Sequence, residues 1–298
     1  MLTGLGAAAA AGWLADRLLG EPPTRWHPVA AFGHLMTAIE SHTYRPSRLA
    51  GAAHLAAGVS LAVGVGVISQ RVLGRRTATA APTAICVAGR MLAHEAAITF
   101  DLVDGGDLDG ARNRVQSLVG RDRERLDAPA LVRATIESVA ENTVDAVIAP
   151  LCWAAIAGAP GVLAHRAINT LDAMVGHRSE RYEAFGWAAA RADDLANYIP
   201  ARLAALAVAA LTPRRAPAIW RAVREDAPAH PSPNGGVIEA AVAAALDIRL
   251  GGTNQYAGHA EHRGVLGNGP EPTTADGRRA IRLTTAAGAL IASVGVLR

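Results

Sequence analysis

Two short stretches of this chain, NTVDAV at 142–147 and NTLDAM at 169–174, present an amide, a hydroxyl and a carboxylate in one order, on either side of residues 146–165, which contain no Asp, Glu, Lys or Arg. Carboxylates and amides without neighbouring cysteines suit a hard cation such as Mg²⁺, which takes few direct protein ligands and completes its shell with water and substrate phosphate oxygens. Upstream, Glu137, Glu141 and Asp145 recur at i, i+4 and i+8. A helix over 131–149 would therefore carry three carboxylates on one stripe. On a soluble helix that stripe would be a solvated face paired to Arg133. Here it runs into an apolar segment, where a carboxylate is costly and generally functional.

The second copy continues into RADDLANYIPARL (191–203), where Asp193, Asp194 and Asn197 form another acid–amide group with the character of a magnesium site. The alternative for the two aspartates is a favourable charge near a helix N-terminus. DRLLGEPPTRWHPV (16–29) gathers Asp16, Glu21, two prolines and His27 into a rigid polar turn. HPSPNGGVIEAAVAAALDIRLGGTNQY (230–256) opens with a Ser-Pro-Asn-Gly-Gly turn containing Ser232 and Asn234, then an Ala-rich helix with Glu239, then Arg249 and a second Gly-Gly turn. Such a turn can present backbone N–H groups to a phosphate, although most are plain connectors. Arg90 and His94, at i and i+4, have the spacing of an ordinary packing pair.

Elements of a particular kind must position these groups. Of 298 residues 51% are hydrophobic and only 18% charged, against about 25% charged in an ordinary soluble domain. Segment 49–70 and segment 146–165 are each about as long as a bilayer requires. Stretches 1–15, 201–213 and 283–297 are marginal, and the first lacks a basic leader and reads as a retained helix. The expected fold is all-α: a single polytopic membrane domain over 1–298 with four to five membrane-embedded segments and large polar helical connections.

If 146–165 crossed the bilayer, the two Asn-Thr-x-Asp copies would end on opposite faces. Pro150, Gly158, Pro160 and Gly161 predict instead a re-entrant hairpin of two half-length helices, tolerated at depth inside protein. Both copies then open on the same side into a shared polar pocket. Arginines flank segment 49–70 on both sides, so its orientation stays open.

All 29 basic residues are Arg. That excludes a P-loop lysine and any Schiff-base chemistry. A net charge of +3 with scattered arginines and no aromatic interleaving argues against nucleic acid. Cys86 and Cys152 lie in apolar stretches without metal spacing and read as small buried hydrophobes.

Taken together, DRLLGEPP with HPV, VGRD (119–122), RATIESVAENTVDAVIAPL (133–151), RAINTLDAMVGHRSERYEAFGWAAARADDLANYIPARL (166–203), and SPNGGVIEAA with RLGGTNQY resemble the cobinamide-phosphate synthase family of cobalamin biosynthesis, the CobD/CbiB type. The likeness runs through nearly the whole chain in order. It departs at 236–238, where relatives commonly carry Ala and an aromatic-Pro pair after Ser-Pro-Asn, and in the absence of Lys.

The resemblance implies a multi-pass enzyme of the bacterial cytoplasmic membrane. It would join adenosylcobyric acid to aminopropanol or its phosphate, with ATP and Mg²⁺ driving amide formation, the corrinoid being substrate and a soluble corrinoid-pathway protein a possible supplier of the amine. On that reading Glu141, Asp145 and Asp172 hold Mg²⁺, with Asn142 and Asn169, beside the ATP phosphates. Asp193 or Asp194 is the general base. Arg90, Arg166, Arg178 and Arg249 clamp phosphate, and Asp16, His27, Asn197, Ser232, Asn234 and Glu239 bind substrate. Two other readings remain open: a corrinoid-handling carrier or scaffold, and twin Asn/Asp helix caps with no chemistry.

Overall fold

The computed structural model describes residues 4–21, 26–115, 126–177, 179–256 and 259–297. The VGRD stretch and Arg178 lie outside them. The described chain is helical apart from one β-hairpin, and four of its helical runs are long and apolar enough to cross a membrane: Arg48–Leu73, Ala128–Gly176, Trp187–Leu211 and Thr274–Val296. This is an all-α polytopic membrane fold.

The chain divides into two compact units made of interleaved pieces, one of 1–88, 145–200 and 291–298 and the other of 89–144 and 201–290. The first contains α1 (Leu5–Leu19), α2 (Pro28–Thr43), α3 (Arg48–Leu73), α4 (Arg75–Cys86) and the apolar segment around 146–165. The second contains α5 (Gly89–Asp104), α6 (Leu108–Val115) and α7 (Ala128–Thr143). The run after α7 is a π-helical turn (Val144–Ile148), then α8 (Ala149–Leu171), then a second π-turn (Asp172–Gly176). Then follow α9 (Trp187–Leu211), α10 (Ala216–Glu225), α11 (Gly235–Leu246), β1 (Leu250–Tyr256), β2 (His259–Leu266) and α12 (Thr274–Val296).

α8 is two half-helices. Gly158 stands at φ 67°, ψ −147° between them, a backbone region open essentially to Gly alone. Pro160 follows within the next turn, and a Cβ at Gly161 would lie 2.5 Å from the carbonyl oxygen of Trp153. Eight residues of straight helix would separate those positions by about 12 Å, so the chain has turned back on itself. Val147, Leu151 and Ala154 of the first arm share one buried cluster with Val162 of the second. The reversal expected from the glycines and prolines is present as a helical hairpin.

α3 packs along the second arm through a small-residue stripe, with Gly58 against Leu171 and Gly66 against Pro160, the close backbone approach that membrane helices use in place of a hydrophobic drive. Its other side exposes Leu49, Leu61, Val65, Ile68 and Val72.

Two prolines shape neighbouring contacts by removing donors. Pro150 has no N–H for the carbonyl of Ala146, and the Ala88 N–H donates to that oxygen at 3.0 Å. Pro200 likewise frees the carbonyl of Ala196, which accepts from the Trp153 indole Nε1 at 3.1 Å. The second replacement lets α9 run unbroken, so the marginal stretch expected at 201–213 is the latter half of one long helix. Trp153→Phe should leave that carbonyl unsatisfied and lower stability by about 1–3 kcal/mol, measured as a drop in the thermal midpoint.

In the second unit the Gly-Gly stretch after Arg249 is a strand rather than a turn. β1 and β2 pair antiparallel from Leu250↔Leu266, with a bulge at Gly251/Gly252. Gly251 N–H donates to Glu137 Oε1 at 2.8 Å in a buried setting. Glu137, first of the striped acids, is thus committed to holding the root of the hairpin.

Candidate functional site

Of the two Asn-Thr-x-Asp copies, the first unit holds the second copy whole and the aspartate of the first, and both aspartates stand in π-turns. Asp145 is the second residue of one π-turn and Asp172 the first of the other. Gly158 lies thirteen residues after Asp145 and fourteen before Asp172, so the reversal there brings the two carboxylates to the same end of the hairpin. A π-turn replaces the usual helical bond by a wider one and is found disproportionately at functional sites. The Asp172 carboxylate lies directly against Gly176, where any Cβ would collide with its Oδ1. Gly176→Ala should therefore displace this carboxylate and depress activity about tenfold or more with little change in thermal midpoint, whereas equal losses of both would mean that the glycine serves folding alone.

A hydrogen-bonded chain runs beside the second copy. Arg166 Nη1 donates to Asn169 Oδ1 at 3.4 Å. Asn169 Nδ2 donates to Asp193 Oδ1 at 3.3 Å, and Asn197 Nδ2 donates to Asp193 Oδ2 at 3.0 Å. The Asn197 oxygen is left to accept from His165 Nε2 at 2.9 Å, which fixes the proton of that buried ring on Nε2. Asp193 is thus the hub of the network. Asp194 pairs with Arg191 at 3.0 Å.

Asp16, at the end of α1, is buried, and with Glu21 and His27 it forms a second polar group within electrostatic reach of Arg166. His27 caps α2: its Nδ1 accepts the Val29 N–H at 3.3 Å, and its Nε2 faces Glu21 Oε2 at 3.7 Å. Burial, helped by Arg166, holds the His27 pKa below the usual imidazole value. Glu21 shifts upward, through burial first, opposed by Arg166 and reinforced by Asp16.

A depressed imidazole stabilises the fold through its neutral form. That stability is complete above the unfolded pKa of about 6.5 and is lost as the pH falls below it through the folded value. His27→Asn keeps a capping oxygen and cannot titrate, so it should flatten the decline in thermal midpoint between about pH 7.5 and 5. An unchanged decline would remove His27 as its source.

The second unit holds a separate cluster. The Asn234 carbonyl begins α11, and Asn234 Oδ1 accepts from Arg202 Nη1 at 3.0 Å. Ser232 Oγ accepts the Asn234 and Gly235 N–H groups at 3.2 and 3.1 Å. Glu141 Oε1 and the His230 ring both face Gly235, each 3.1 Å from where a Cβ would stand. His230 Nδ1 accepts the Ser232 N–H at 3.0 Å, turning Nε2 toward buried Glu239 at 3.5 Å. Glu141, Ser232, Asn234 and Glu239 therefore converge on the start of α11. His230 and Arg202, which tie them together, were not singled out from sequence, although His230 opens the HPSPNGG stretch.

Of the other candidates in the second unit, Arg90 is exposed, Arg249 makes a half-exposed ion pair with Glu271 at 3.6 Å, and Asn142 bonds back to Ser138 O and Oγ at 2.9 and 3.0 Å.

As for a metal, no three His, Cys, Asp or Glu side chains converge among the described residues. The oxygen-only donors of Asp145 and Asp172 fit an ion held by one or two carboxylates and otherwise by phosphate oxygens and water, which is how Mg²⁺ is usually bound.

Fold and site together define a helical membrane protein with a helical hairpin whose two ends each carry an acidic π-turn. The chain belongs to the CobD/Cbib protein family, whose model matches residues 9–284. It is 46% identical to the cobalamin biosynthesis protein CobD of Mycobacterium tuberculosis over 299 residues, covering 96% of this chain and 94% of that one. It is 44% identical to the protein of the same name from Chromobacterium violaceum over 280 residues, covering 91% and 89%, and 50% identical to that of Rhodobacter capsulatus over 191 residues, covering 64% and 60%. No solved structure matches the chain.

Proposed function

We propose that this protein acts in cobalamin biosynthesis as an ATP-dependent amide ligase of the bacterial cytoplasmic membrane, joining adenosylcobyric acid to 1-amino-2-propanol or its O-phosphate. Family membership and the names of the relatives support the pathway. The observation that carries the chemistry is the pair of carboxylates, Asp145 and Asp172, on π-turns at the two ends of one helical hairpin, with the Arg166–Asn169–Asp193 chain running through the second copy.

A carboxylate is a poor electrophile, because its negative charge repels the amine's lone pair. Activation by ATP resolves this. A carboxylate oxygen of the corrinoid side chain bonds to the γ-phosphorus, the bond to the β,γ-bridging oxygen breaks and ADP departs. The amine nitrogen then bonds to the acyl carbon, inorganic phosphate leaves, and the ammonium proton passes to a base. Mg²⁺ held by Asp145 and Asp172 would neutralise charge on the phosphates.

The chain's own groups supply the rest. Arg166 offers fixed positive charge to a phosphoryl group, and Asn169 holds the guanidinium in place. Asp193 is the base rather than Asp194, because Asp194 is engaged by Arg191. In the second unit, the Ser232–Gly236 turn and the α11 N-terminus, with Glu141 and Glu239, suit polar substrate groups.

The test supplies detergent-purified protein with adenosylcobyric acid, ATP, Mg²⁺ and either amine, and follows corrinoids by mass spectrometry. A species carrying the new amide supports the ligase and identifies the amine. Bound corrinoid with no product from either amine would favour a carrier.

A further inference from the structure

An amide side chain donates from one side and accepts on the other, and half a turn of the group exchanges the two. Asp193 takes one amide on each carboxylate oxygen, Asn169 Nδ2 on Oδ1 at 3.3 Å and Asn197 Nδ2 on Oδ2 at 3.0 Å. Turned over, either amide would set an oxygen against the carboxylate and repel it. Each orientation therefore needs a group that selects it. For Asn169 that group is Arg166, whose Nη1 donates to the amide oxygen. For Asn197 it is His165, whose Nε2 donates to Oδ1 at 2.9 Å.

His165 and Asn197 are each 1% exposed, whereas Asp193 is partly exposed. The ring and the amide it holds are sealed in the protein, and the carboxylate they serve keeps access to the outside. The pairs 165–197 and 169–193 share one antiparallel register between the second hairpin arm and α9, about one helical turn apart. The next positions in that register, Gly161 with Ala201 and Ala173 with Ala189, carry no polar side chain. Polar ties are thus confined to the two turns that bear on Asp193. With its proton on Nε2, the imidazole leaves Nδ1 as a buried acceptor with no hydrogen-bond partner among the described residues, a cost that simple helix–helix glue need not carry. α9 is also held here independently, by the Trp153 indole on the Ala196 carbonyl.

We propose that His165 is a positioning residue: through Asn197 it fixes the carboxylate of Asp193 in the orientation that takes the proton of the attacking ammonium. The role rests on the ligase reading with Asp193 as base. In the step the ammonium N–H bond breaks and the proton goes to an Asp193 oxygen, which keeps a second lone pair beside the amide it accepts. His165 itself exchanges no proton.

The test supplies detergent-purified full-length protein with adenosylcobyric acid, ATP, Mg²⁺ and the amine that reacts. His165→Phe keeps a ring and removes the donor, and should lower kcat about 10- to 100-fold while the KM for the amine changes less than about threefold. His165→Gln retains an N–H donor and should recover most of that loss. In Asn197→Ala the intermediary is gone, so adding His165→Phe should cost nothing further. Selective ¹⁵N labelling of histidine reads the tie without reference to turnover: the ring whose signal is missing from His165→Gln should carry its proton on Nε2 in the unaltered protein. Unimpaired kcat in His165→Phe, a rise in KM alone, no recovery in His165→Gln, losses that multiply in the double variant, or a proton on Nδ1 would overturn the proposal. The unaltered protein run alongside keeps the two readings apart, because absence of amide there fails the ligase reading first and this role with it.

Discussion

Asp172→Asn should lower amide formation at least about 100-fold while leaving the thermal midpoint within a few degrees of the unaltered protein. Asparagine has the shape of aspartate, so it fits against Gly176 as the carboxylate does. It has no charge with which to hold a divalent cation, and losing one transition-state electrostatic contact typically costs about 10²–10³ in rate. Asp145→Asn should behave alike, because the two residues occupy matching π-turns. Rate and midpoint discriminate the readings: a helix cap loses stability on substitution, whereas a site loses turnover. Full turnover in both variants would end the magnesium assignment.

The second large effect falls on the fold. Gly158→Val should destabilise the protein by roughly 3 kcal/mol or more, seen as a lower thermal midpoint and loss of monodisperse protein in detergent. Its backbone lies at φ 67°, where a branched side chain is strained, and its Cβ would run into Gln70 Nε2 and Thr79 Oγ1. Because the reversal here is what puts the Asp145 and Asp172 π-turns at one end of the hairpin, activity should fall with stability, in contrast to Asp172→Asn. An unchanged midpoint would mean that the turn is set elsewhere.

The hairpin was legible in the residues because its cause is local: Gly158, Pro160 and Gly161 cannot continue a helix, and the segment is too apolar to be a loop. The π-turns were not, because the first depends on the Ala146 carbonyl, freed by Pro150, meeting the N–H of Ala88, 58 positions earlier. The continuity of α9 depends in the same way on Trp153. Asn169, Asp193 and Asn197 were expected as site residues from type and spacing, and they form one hydrogen-bonded network. The stripe Glu137–Glu141–Asp145 reads as one face, yet its members divide by partner. Glu137 meets the backbone of a β-bulge, and no periodicity announces that a remote Gly-Gly will need an acceptor. The β-hairpin itself was missed because β2 alternates too little to stand out before its pairing is known.

The reversal at Gly158 also bears on how the polypeptide is counted across the bilayer. The longest apolar run, Ala128–Gly176, would be scored by length as a crossing, but a segment that folds back adds zero to the parity. If the reversal at Gly158 lies inside the bilayer, a chain that enters at Asp145 leaves at Asp172 on the same face, and the segments before and after it share a compartment. A compartment-specific label attached near Asp145 and another attached near His177 should report the same side, and any topology drawn from hydropathy alone would be inverted for everything downstream.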